Sequence, residues 1–350
     1  MSNPDVIYLP IEPLEERYTA QMLNWVTRAL EEEGAYYRVI LPDGYTSIQH
    51  GQWLDTYGTT IFRSKQLQMV AELFREGRIQ NLTVFLLGDV WYPGVEALKF
   101  MAELSNKRVK VVGWHYAGTV DPADLLTRKL GRWGFEWERW LVSDYLDAVG
   151  VGSDYHRDNV RRIAGSTPVY SYGLAWRPRD VIAAAGTPKR EKIVVFPHRW
   201  TKEKNPAAFV SAAHTLGDRG YRFVVSTNST QGGIDIPASS NIELVRHASK
   251  EQYYRFLATC SIYYSAAEQE TFGYALHEAI ALGLGVVAPR RCSYPEMLHD
   301  DPRFLFDPEQ DPYGINLLAA QMDKPTAPPL EWTMAYEGNE ARFIRKVLKG

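Results

Sequence analysis

The chain has 350 residues, of which 45% are hydrophobic and 23% charged, and its formal net charge is -3. This length allows two domains of ordinary size, and the composition is that of a soluble globular protein. The charge excludes a general attraction to nucleic acid or anionic membranes, although a local basic face remains possible.

Targeting and redox signals are also weak. No apolar run approaches the roughly 20 residues that span a bilayer, and the N-terminus lacks the basic and apolar regions of a secretion signal. The two cysteines, Cys260 and Cys292, predict neither a disulfide framework nor a metal site. We therefore expect a cytoplasmic protein with no metal.

The first half of the chain alternates predicted strands and helices. Runs rich in β-branched and aromatic residues predict strands at 6–9, 37–41, 82–87, 109–113 and 148–153. Apolar residues at helical spacing predict helices at 15–30, 60–76, 94–104 and 154–163. This order predicts an α/β fold with a parallel, doubly wound sheet. The segment 178–189, rich in Ala, Pro and charge, is typical of a linker.

Several polar and aromatic residues follow these strands. Ligands of such sheets bind beyond the carboxyl ends of the strands, so Asp89, Trp91 and His115 are candidate cleft residues. The ring of His115 can hydrogen-bond a hydroxyl or polarise a leaving group. The alternative is a surface or turn histidine.

The segment 128–140 interleaves basic and aromatic residues, a pattern that suits a nucleic-acid acceptor. However, Trp133, Trp137 and Trp140 have the spacing of a buried helix face, so we predict that they pack in the core. Arg128, Lys129 and Arg132 before this helix remain candidate acceptor contacts.

The second half restarts the alternation. Predicted strands lie at 192–196, 221–226, 241–245, 261–265 and 285–288. After the fourth of these comes Glu270, beside a helix that begins near Gly273, and Glu278 on that helix lies eight residues, or a little over two helical turns, beyond Glu270. A helix N-terminus suits a phosphate, and an ionised carboxylate suits hydroxyl donors. The segment therefore predicts a site for a phosphate-bearing polyol.

The spacing of Glu270 and Glu278, with Phe272 and Gly273 between them, resembles the Glu-x7-Glu signature of retaining glycosyltransferases of the GT-B fold, family 4 type. The resemblance implies two Rossmann-like domains with parallel sheets facing across a cleft. It also implies that Glu270 contacts the donor sugar, Glu278 the nucleotide ribose, and the backbone at Thr271, Phe272 and Gly273 the diphosphate or sugar.

The segment 197–206 resembles the Gly-Arg-Leu-x-x-Glu-Lys-Gly segment of this family. Arg199 and Lys204 keep their offset and Glu203 its acidic position, although prolines, His198 and Asn205 replace the usual glycines. The resemblance assigns both cations to the diphosphate leaving group. The chain has no Asp-x-Asp metal motif, so we expect the cations to neutralise that charge without a metal.

Further site residues follow from the same resemblance. The loop that contains Arg246 and His247 is where relatives hold the nucleobase, and members commonly carry a histidine near the sugar, as His115 would be. The loop after the first strand departs from the family's glycine-rich form. Glu12, Arg17 and Tyr18 in it are candidate acceptor contacts, and solvated helix-start charges are the alternative.

These observations predict residues 1–176 as the acceptor domain, 177–330 as the nucleotide-sugar domain, and 331–350 as a helix that crosses back. The predicted activity is retaining, metal-independent transfer of a sugar from a nucleoside-diphosphate sugar, a UDP-sugar foremost, to a hydroxyl. The donor is a co-substrate, and no cofactor is expected. The residues expected to act in catalysis are His115, Arg199, Lys204 and Glu270.

The acceptor is left open by these patterns. Segments 8–19 and 115–124 are similar to uncharacterised glycosyltransferases of tailed phages, which makes a hydroxymethylated DNA base, modified in the host cytoplasm, one candidate. A metabolite, glycan or protein acceptor stays open, as does the oligomeric state. A nucleotide-sugar epimerase and a catalytically silent nucleotide-sugar-binding protein are the alternative functions.

Overall fold

The protein is described here by a computed structural model that covers residues 5–15, 17–43, 55–228, 236 and 241–349. The chain forms two compact units. The first comprises the described residues up to Trp176 together with those from Gly338 onward, and the second comprises Arg177–Glu337. Within these residues no helix combines the length and the apolar character that crossing a membrane requires.

The first unit is built on a six-stranded parallel sheet. Its strands are β1 (Val6–Leu9), β2 (Tyr37–Val39), β3 (Val84–Leu87), β4 (Lys110–His115), β5 (Ala148–Val151) and β6 (Val169–Tyr170), in the order β2-β1-β3-β4-β5-β6. Its helices include α1 (Tyr18–Glu32), α2 (Thr56–Arg75), α3 (Glu96–Leu104), α4 (Leu125–Trp140) and α5 (Asp154–Arg161). Strands β1, β3 and β5 are buried along their whole length, as expected where helices cover both faces of a parallel sheet.

The second unit repeats this architecture. Its helices are α6 (Pro178–Ala185), α7 (Pro206–Leu216), α8 (Lys250–Thr259), α9 (Tyr274–Ala281), α10 (Tyr294–Met297), α11 (Ile315–Asp323) and α12 (Leu330–Met334). Its strands are β7 (Ile193–Phe196), β8 (Arg222–Ser226), β9 (Ile242–Val245), β10 (Ile262–Tyr264), β11 (Gly285–Pro289) and β12 (Leu305–Phe306). They form a second parallel sheet in the order β12-β11-β10-β7-β8-β9.

The last helix, α13 (Asn339–Lys349), belongs to the first unit and packs against α1. The N–H of Gly338 donates to the carbonyl oxygen of Trp176 at 3.2 Å, and the N–H of Trp176 donates to Glu340 Oε2, also at 3.2 Å. The chain therefore leaves the first unit and returns to it at neighbouring points.

The prediction of two parallel, doubly wound sheets is confirmed. In each sheet the strand order reverses at one point, between β1 and β3 in the first and between β7 and β10 in the second. Loops that leave neighbouring strands on either side of such a point open a crevice at the carboxyl edge of the sheet. The residues that follow β7 and β10 accordingly meet.

Two local predictions are wrong. The predicted linker contains α6, which begins with Pro178 at its first position and ends before Gly186, whose φ is +66°. Trp133 is 63% exposed and Trp140 37%, so these two residues of α4 do not pack in the core, whereas Trp137 is partly buried and packs against it as predicted. The buried residues of that helix are instead Gly134 and Glu138.

Helix α4 also begins earlier than predicted. It starts at Leu125 behind the cap of Asp124, whose carboxylate accepts the N–H of Leu126 at 2.8 Å. Its axis is interrupted at Gly131, where φ is +59°. Arg128 and Lys129 therefore lie on the helix before the interruption.

Candidate functional site

A buried ion pair joins the loops that follow β7 and β10. Lys204 Nζ lies 3.1 Å from Glu270 Oε2 and donates to the carbonyl oxygen of Gln269 at 2.7 Å. Only 9% of the lysine side chain and 15% of the glutamate side chain are exposed. Because burying charge is costly unless it is paired, this pair fixes the two loops against each other.

Glu270 also shapes the start of α9. Its Oε1 accepts the N–H groups of Thr271 at 3.1 Å and Gly273 at 3.0 Å. Gly273 precedes the helix with a φ of +78°, a left-handed conformation that glycine adopts without strain. The carboxylate thus lies at a helix N-terminus, where the macrodipole favours negative charge.

The ionisation of Glu270 follows from these contacts. Burial raises the pKa of its carboxyl, but the Lys204 cation and the N–H of Thr271 outweigh that effect, and the pKa lies below its ordinary value. The pair is therefore charged at neutral pH.

Arg199 reaches the same loop from the carboxyl end of β7. Its side chain is 32% exposed, and its guanidinium donates to Glu203 Oε1 at 3.3 Å. Thr201 Oγ1 donates to the same oxygen at 2.6 Å, and the Glu203 carbonyl oxygen accepts the N–H of Glu268. Glu203 therefore holds Arg199 and both loops, while the guanidinium remains accessible to solvent.

His198 is neutral beside these cations. Burial, with the Lys204 charge next in size, lowers the pKa of its imidazole to about 3. Its Nε2 is 3.0 Å from the hydroxyl of Tyr263, with which it shares a hydrogen bond. The site thus keeps two permanent cations, Lys204 and Arg199, around an uncharged ring.

Glu278 lies on α9 and already has protein partners. It is 2% exposed, pairs with Lys250 Nζ, and accepts the hydroxyls of Tyr253 at 2.9 Å and Tyr254 at 3.2 Å. The Lys250 ammonium lies 4.1 Å from the ring centroid of Tyr253. Lys250, Tyr253 and Tyr254 were missed by the sequence analysis, although their place after the Ser249 cap of α8 was a usable signal.

The loop predicted to hold a nucleobase is fixed by one asparagine. Asn228 Oδ1 accepts the N–H of His247 at 3.0 Å, and its Nδ2 donates to the His247 carbonyl oxygen at 2.7 Å. The ring of His247 shares a hydrogen bond of 3.0 Å with Ser226, whereas Arg246 is exposed. The backbone of His247 is thus already hydrogen-bonded, and a base would have to use other groups of this loop.

Thr271 and Phe272 are largely removed from solvent. Thr271 is 7% exposed and Phe272 1%, and the Phe272 ring packs 4.3 Å from the His277 ring and 5.7 Å from that of Tyr336. Phe272 therefore contributes a packed hydrophobic anchor below the start of α9, and only its backbone is suited to a ligand.

In the first unit, His115 lies inside a buried polar network. Its Nε2 is 2.6 Å from Glu138 Oε1 and its Nδ1 3.0 Å from His156 Nε2. Thr119 donates to Glu138 Oε2 through its N–H and its hydroxyl. A Cβ at position 118 would lie 2.2 Å from Glu138 Oε1, so only Gly118 lets the loop after β4 approach so closely.

This network corrects the role expected for His115. The residue is 0% exposed and both ring nitrogens are bonded, so the ring is neither a surface histidine nor able to reach a sugar in this geometry. Burial lowers the pKa of the His156 imidazole well below its usual range, and its Nδ1 has no partner within the described structure.

Other candidates of the first unit cluster at the carboxyl edge of its sheet. Asp89 accepts the N–H of Trp91 at 3.1 Å and pairs with Arg63 at 3.4 Å. Burial raises the pKa of its carboxyl despite the Arg63 charge. The ring of Trp91 packs against that of Trp137 in a tilted arrangement, with centroids 4.8 Å apart, and Glu12 is 9% exposed. The solvated alternative for Glu12 is therefore wrong.

The remaining acceptor candidates are at least partly accessible. Tyr18 is half-buried with its ring 6.0 Å from that of Tyr116, and Arg17 is half-buried. Arg128 and Arg132 are exposed, and Arg128 donates to the carbonyl oxygen of Ala123 at 2.6 Å. Within the described ranges, no group of three His, Cys, Asp or Glu side chains is arranged to hold a metal ion.

The chain is similar to known glycosyltransferases. Residues 179–320 match the family of glycosyl transferases group 1. A segment of 113 residues is 32% identical to the tRNA-queuosine alpha-mannosyltransferase of Drosophila melanogaster, and it spans 30% of this chain and 30% of that protein.

Solved structures match over nearly the whole chain. Sucrose-phosphate synthase from Thermosynechococcus elongatus superposes with a TM-score of 0.66 at 13% identity, over 98% of this chain and 94% of that one. The structure described as trehalose-6-phosphate from E. coli bound with UDP-2-fluoro glucose gives a TM-score of 0.64 at 8% identity, over 99% of each chain. The fold is that of GT-B glycosyltransferases, and residues 179–320 are similar to the glycosyl transferases group 1 family.

Proposed function

We propose that this chain transfers a sugar from a nucleoside-diphosphate sugar, a UDP-sugar foremost, to a hydroxyl of an acceptor, with retention of configuration and without a metal. The observation that carries the proposal is the buried pair of Lys204 and Glu270 beside the N-terminus of α9. It holds a cation and a carboxylate in fixed positions at the ligand-binding edge of a parallel sheet.

The cations act on the leaving group. An ammonium has three N–H donors, and Lys204 directs two of them to Gln269 and Glu270. We assign its remaining donor and the exposed guanidinium of Arg199 to the diphosphate. Charge grows on the diphosphate as the glycosidic bond breaks, and each such charge-assisted hydrogen bond contributes roughly 1.5–3 kcal/mol. Preorganised cations of this kind perform the neutralisation that a metal performs elsewhere.

The carboxylates act on the hydroxyls of the donor. Glu270, kept ionised by its neighbours, accepts hydrogen bonds from the transferred sugar, and the backbone at Thr271, Phe272 and Gly273 follows the diphosphate. Glu278 accepts from the ribose. Since Lys250, Tyr253 and Tyr254 already surround it, we propose that the ribose displaces the hydroxyl of one tyrosine and keeps the lysine pair.

The reaction needs no protein base. In a retaining transfer the departing phosphate oxygen accepts the proton of the incoming hydroxyl, so the same cations stabilise the charge that remains. His198 is neutral and bonded to Tyr263, which suits a positioning role for the loop that carries Arg199.

We assign the acceptor to the first unit, with contacts from Glu12, Arg17, Tyr18, Asp89 and Trp91, and from Arg128 and Arg132 on α4. Exposed aromatic rings next to these basic residues, Trp133 above all, suit a nucleic acid. The acceptor hydroxyl would then belong to a modified base. Two substrates of this class are a hydroxymethylated DNA base and queuosine in tRNA, the substrate in the name of the Drosophila relative.

The test is nucleotide release from a panel of UDP-, GDP- and ADP-sugars with EDTA present. Each donor is incubated alone, with hydroxymethylated DNA, with queuosine-containing tRNA and with simple sugars. We expect release from one donor, stimulated by one acceptor and lost in Arg199→Ala and Glu278→Ala. The anomeric proton coupling of the product reports retention.

Lys202 offers a matched control. It lies in the same short helical turn as Lys204 but is exposed, so Lys202→Ala should keep full activity. Conversion of the donor without any acceptor would instead identify an epimerase. Donor binding without turnover would identify a silent binding protein.

A further inference from the structure

The last helix of the first unit turns a wholly cationic side to solvent. The eleven residues of α13 are all described, and its apolar side chains Phe343, Ile344 and Val347 are buried. Its exposed residues are Arg342, Arg345, Lys346 and Lys349. Offsets of three and four residues place these cations on one side of the helix. We call them the α13 basic surface.

This surface lines a cavity. The cavity has a volume of about 450 Å³ and is bounded by the four cations and Tyr172. The ring of Tyr172 stacks on that of Tyr170, with centroids 5.4 Å apart and planes 6° from parallel. Lys346 Nζ lies 5.9 Å from the ring centroid of Tyr170. A cationic groove and a rigid aromatic face are thus combined in one place.

The positive charge of the groove is only partly neutralised. The single N–H of Arg345 Nε donates a bifurcated hydrogen bond to the two carboxylate oxygens of Glu33 at the end of α1, each 3.0 Å away, and Lys349 Nζ is 3.6 Å from Glu33 Oε2. Arg342 donates to the neutral amide oxygen of Asn339 at 3.1 Å. Four cations therefore face one carboxylate, and Arg342 and Lys346 have no acidic partner among the described residues.

We propose that the α13 basic surface binds the sugar-phosphate backbone of the RNA that carries the acceptor hydroxyl, an inference that rests on the proposed function. Phosphates meet Arg342 and Lys346, and an unpaired base stacks on Tyr172. Such pairing of cations with aromatic rings is how proteins hold single-stranded segments of nucleic acid.

The same features disfavour a membrane surface. A helix that lies in a bilayer interface buries its apolar face among lipids, whereas the apolar face of α13 is packed in the core of the first unit. The exposed residues of α13 are all cationic, so none of them is an apolar side chain that could insert, and the neighbouring ring of Tyr172 is held in a stacked pair with Tyr170.

The test measures binding of a fluorescently labelled, unmodified tRNA transcript to the full chain, by anisotropy over a range of salt concentrations and without donor. Arg342→Gln with Lys346→Gln should weaken binding about tenfold or more and reduce the slope of log affinity against log salt by about 1.4 to 1.8. Tyr172→Leu should weaken binding about fivefold or more at an unchanged salt slope.

The matched control is Lys65→Gln with Arg75→Gln, which removes two exposed cations from α2 of the same unit and should bind like the unmodified chain. Equal affinities for all variants, or no binding of the transcript at all, would overturn the inference. So would a loss confined to binding of phosphatidylserine vesicles or duplex DNA.

Because no donor is present, this result is separate from the proposed function. Absence of nucleotide release with variant-sensitive RNA binding would refute the transferase and leave the RNA surface standing. Transfer to an acceptor other than RNA, with no RNA binding, would refute the surface alone.

Discussion

The two units place the same kind of pair, a carboxylate with a nitrogen base, at the carboxyl edge of a parallel sheet, and they use it differently. In the second unit the pair of Lys204 and Glu270 is 9% and 15% exposed, and Arg199 beside it is 32% exposed. In the first unit His115 and Glu138 are both fully buried. A pair that a ligand can reach can exchange a partner for that ligand, whereas a sealed pair can only fix the loop that contains it.

Accessibility, more than residue type, therefore distinguishes the proposed donor site from a purely structural pair. The comparison predicts that changes to Lys204 and Glu270 act on turnover, whereas changes to His115 and Glu138 act on stability.

Lys204→Ala should have the largest effect on turnover. Loss of the ammonium removes a cation aimed at the leaving group, and we expect nucleotide release to fall about 100- to 1,000-fold. Single-turnover kinetics with saturating donor provide the measurement. Lys202→Ala is the control, and a residual rate above a tenth of the unmodified rate would contradict the assignment.

Glu138→Ala, in the buried pair of the first unit, should reduce stability. It leaves the N–H and hydroxyl of Thr119 and the ring of His115 without their buried acceptor, which costs about 2–4 kcal/mol of unfolding free energy. Urea unfolding of the first unit, followed by tryptophan fluorescence, measures this loss.

The exposed neighbour Glu136, which pairs with Arg139, supplies the control. Glu136→Ala should change the unfolding free energy by less than about 0.5 kcal/mol. If Glu138→Ala instead left stability intact and abolished turnover, the network would be catalytic and the division between the two pairs would fail.

Acidification should destabilise the second unit through its buried histidines. The pKa of His198 and that of His277 are each lowered to about 3 by burial, whereas the unfolded chain binds these protons near pH 6.5. Stability is thus complete above about pH 6.5 and falls as the pH drops towards 3, by about 1.4 kcal/mol per pH unit for each ring. The lowered pKa of Glu270 adds a loss in the same direction.

Unfolding free energies at a series of pH values test this. His198→Gln should remove the contribution of one imidazole, so the unfolding free energy should fall less steeply with decreasing pH, by about 1.4 kcal/mol per pH unit. An equally steep dependence in that variant would mean that His198 is accessible and charged in the folded site.

Gly273→Ala should have the smallest effect of these changes. A Cβ in the left-handed conformation at φ +78° costs about 1 kcal/mol and turns the N–H away from Glu270. We expect weaker donor binding by isothermal titration calorimetry together with this small loss of stability. Gly217→Ala is the control, because its φ is -59° and a Cβ there meets nothing within 4 Å. Equal donor affinity in both variants would contradict the role of Gly273.

The meeting of Lys204 and Glu270 at one edge of the sheet was predictable from strand order. Lys204 and Glu270 follow two strands that become neighbours where the sheet order reverses, and Gly273 marks the helix start between two carboxylates. The contacts of Glu278 were missed because Lys250 and Tyr253 reach it from another helix. The Ser249 cap marks the start of that helix, but the side-chain geometry that brings the two residues to Glu278 is not encoded in sequence spacing.

The first unit was less predictable for a related reason. The spacing of Trp133, Trp137 and Trp140 is that of a buried face, yet α4 turns Gly134 and Glu138 inward. A carboxylate faces the core only because His115 and Thr119 are there to receive it, and that pairing arises from the tertiary fold. The Ala, Pro and charge content of 178–189 is typical of a linker, yet Pro178 occupies the first position of α6, where proline is also common.

The hydrogen bond from Gly338 to Trp176 has a consequence for how the chain is made. The first unit needs α13, yet all of the second unit is synthesised before that helix. A ribosome-bound chain can therefore complete the second unit while the first unit still lacks one helix and exposes the apolar surface that Phe343 and Ile344 later cover. The first unit, whose synthesis starts before that of the second, is therefore completed after it.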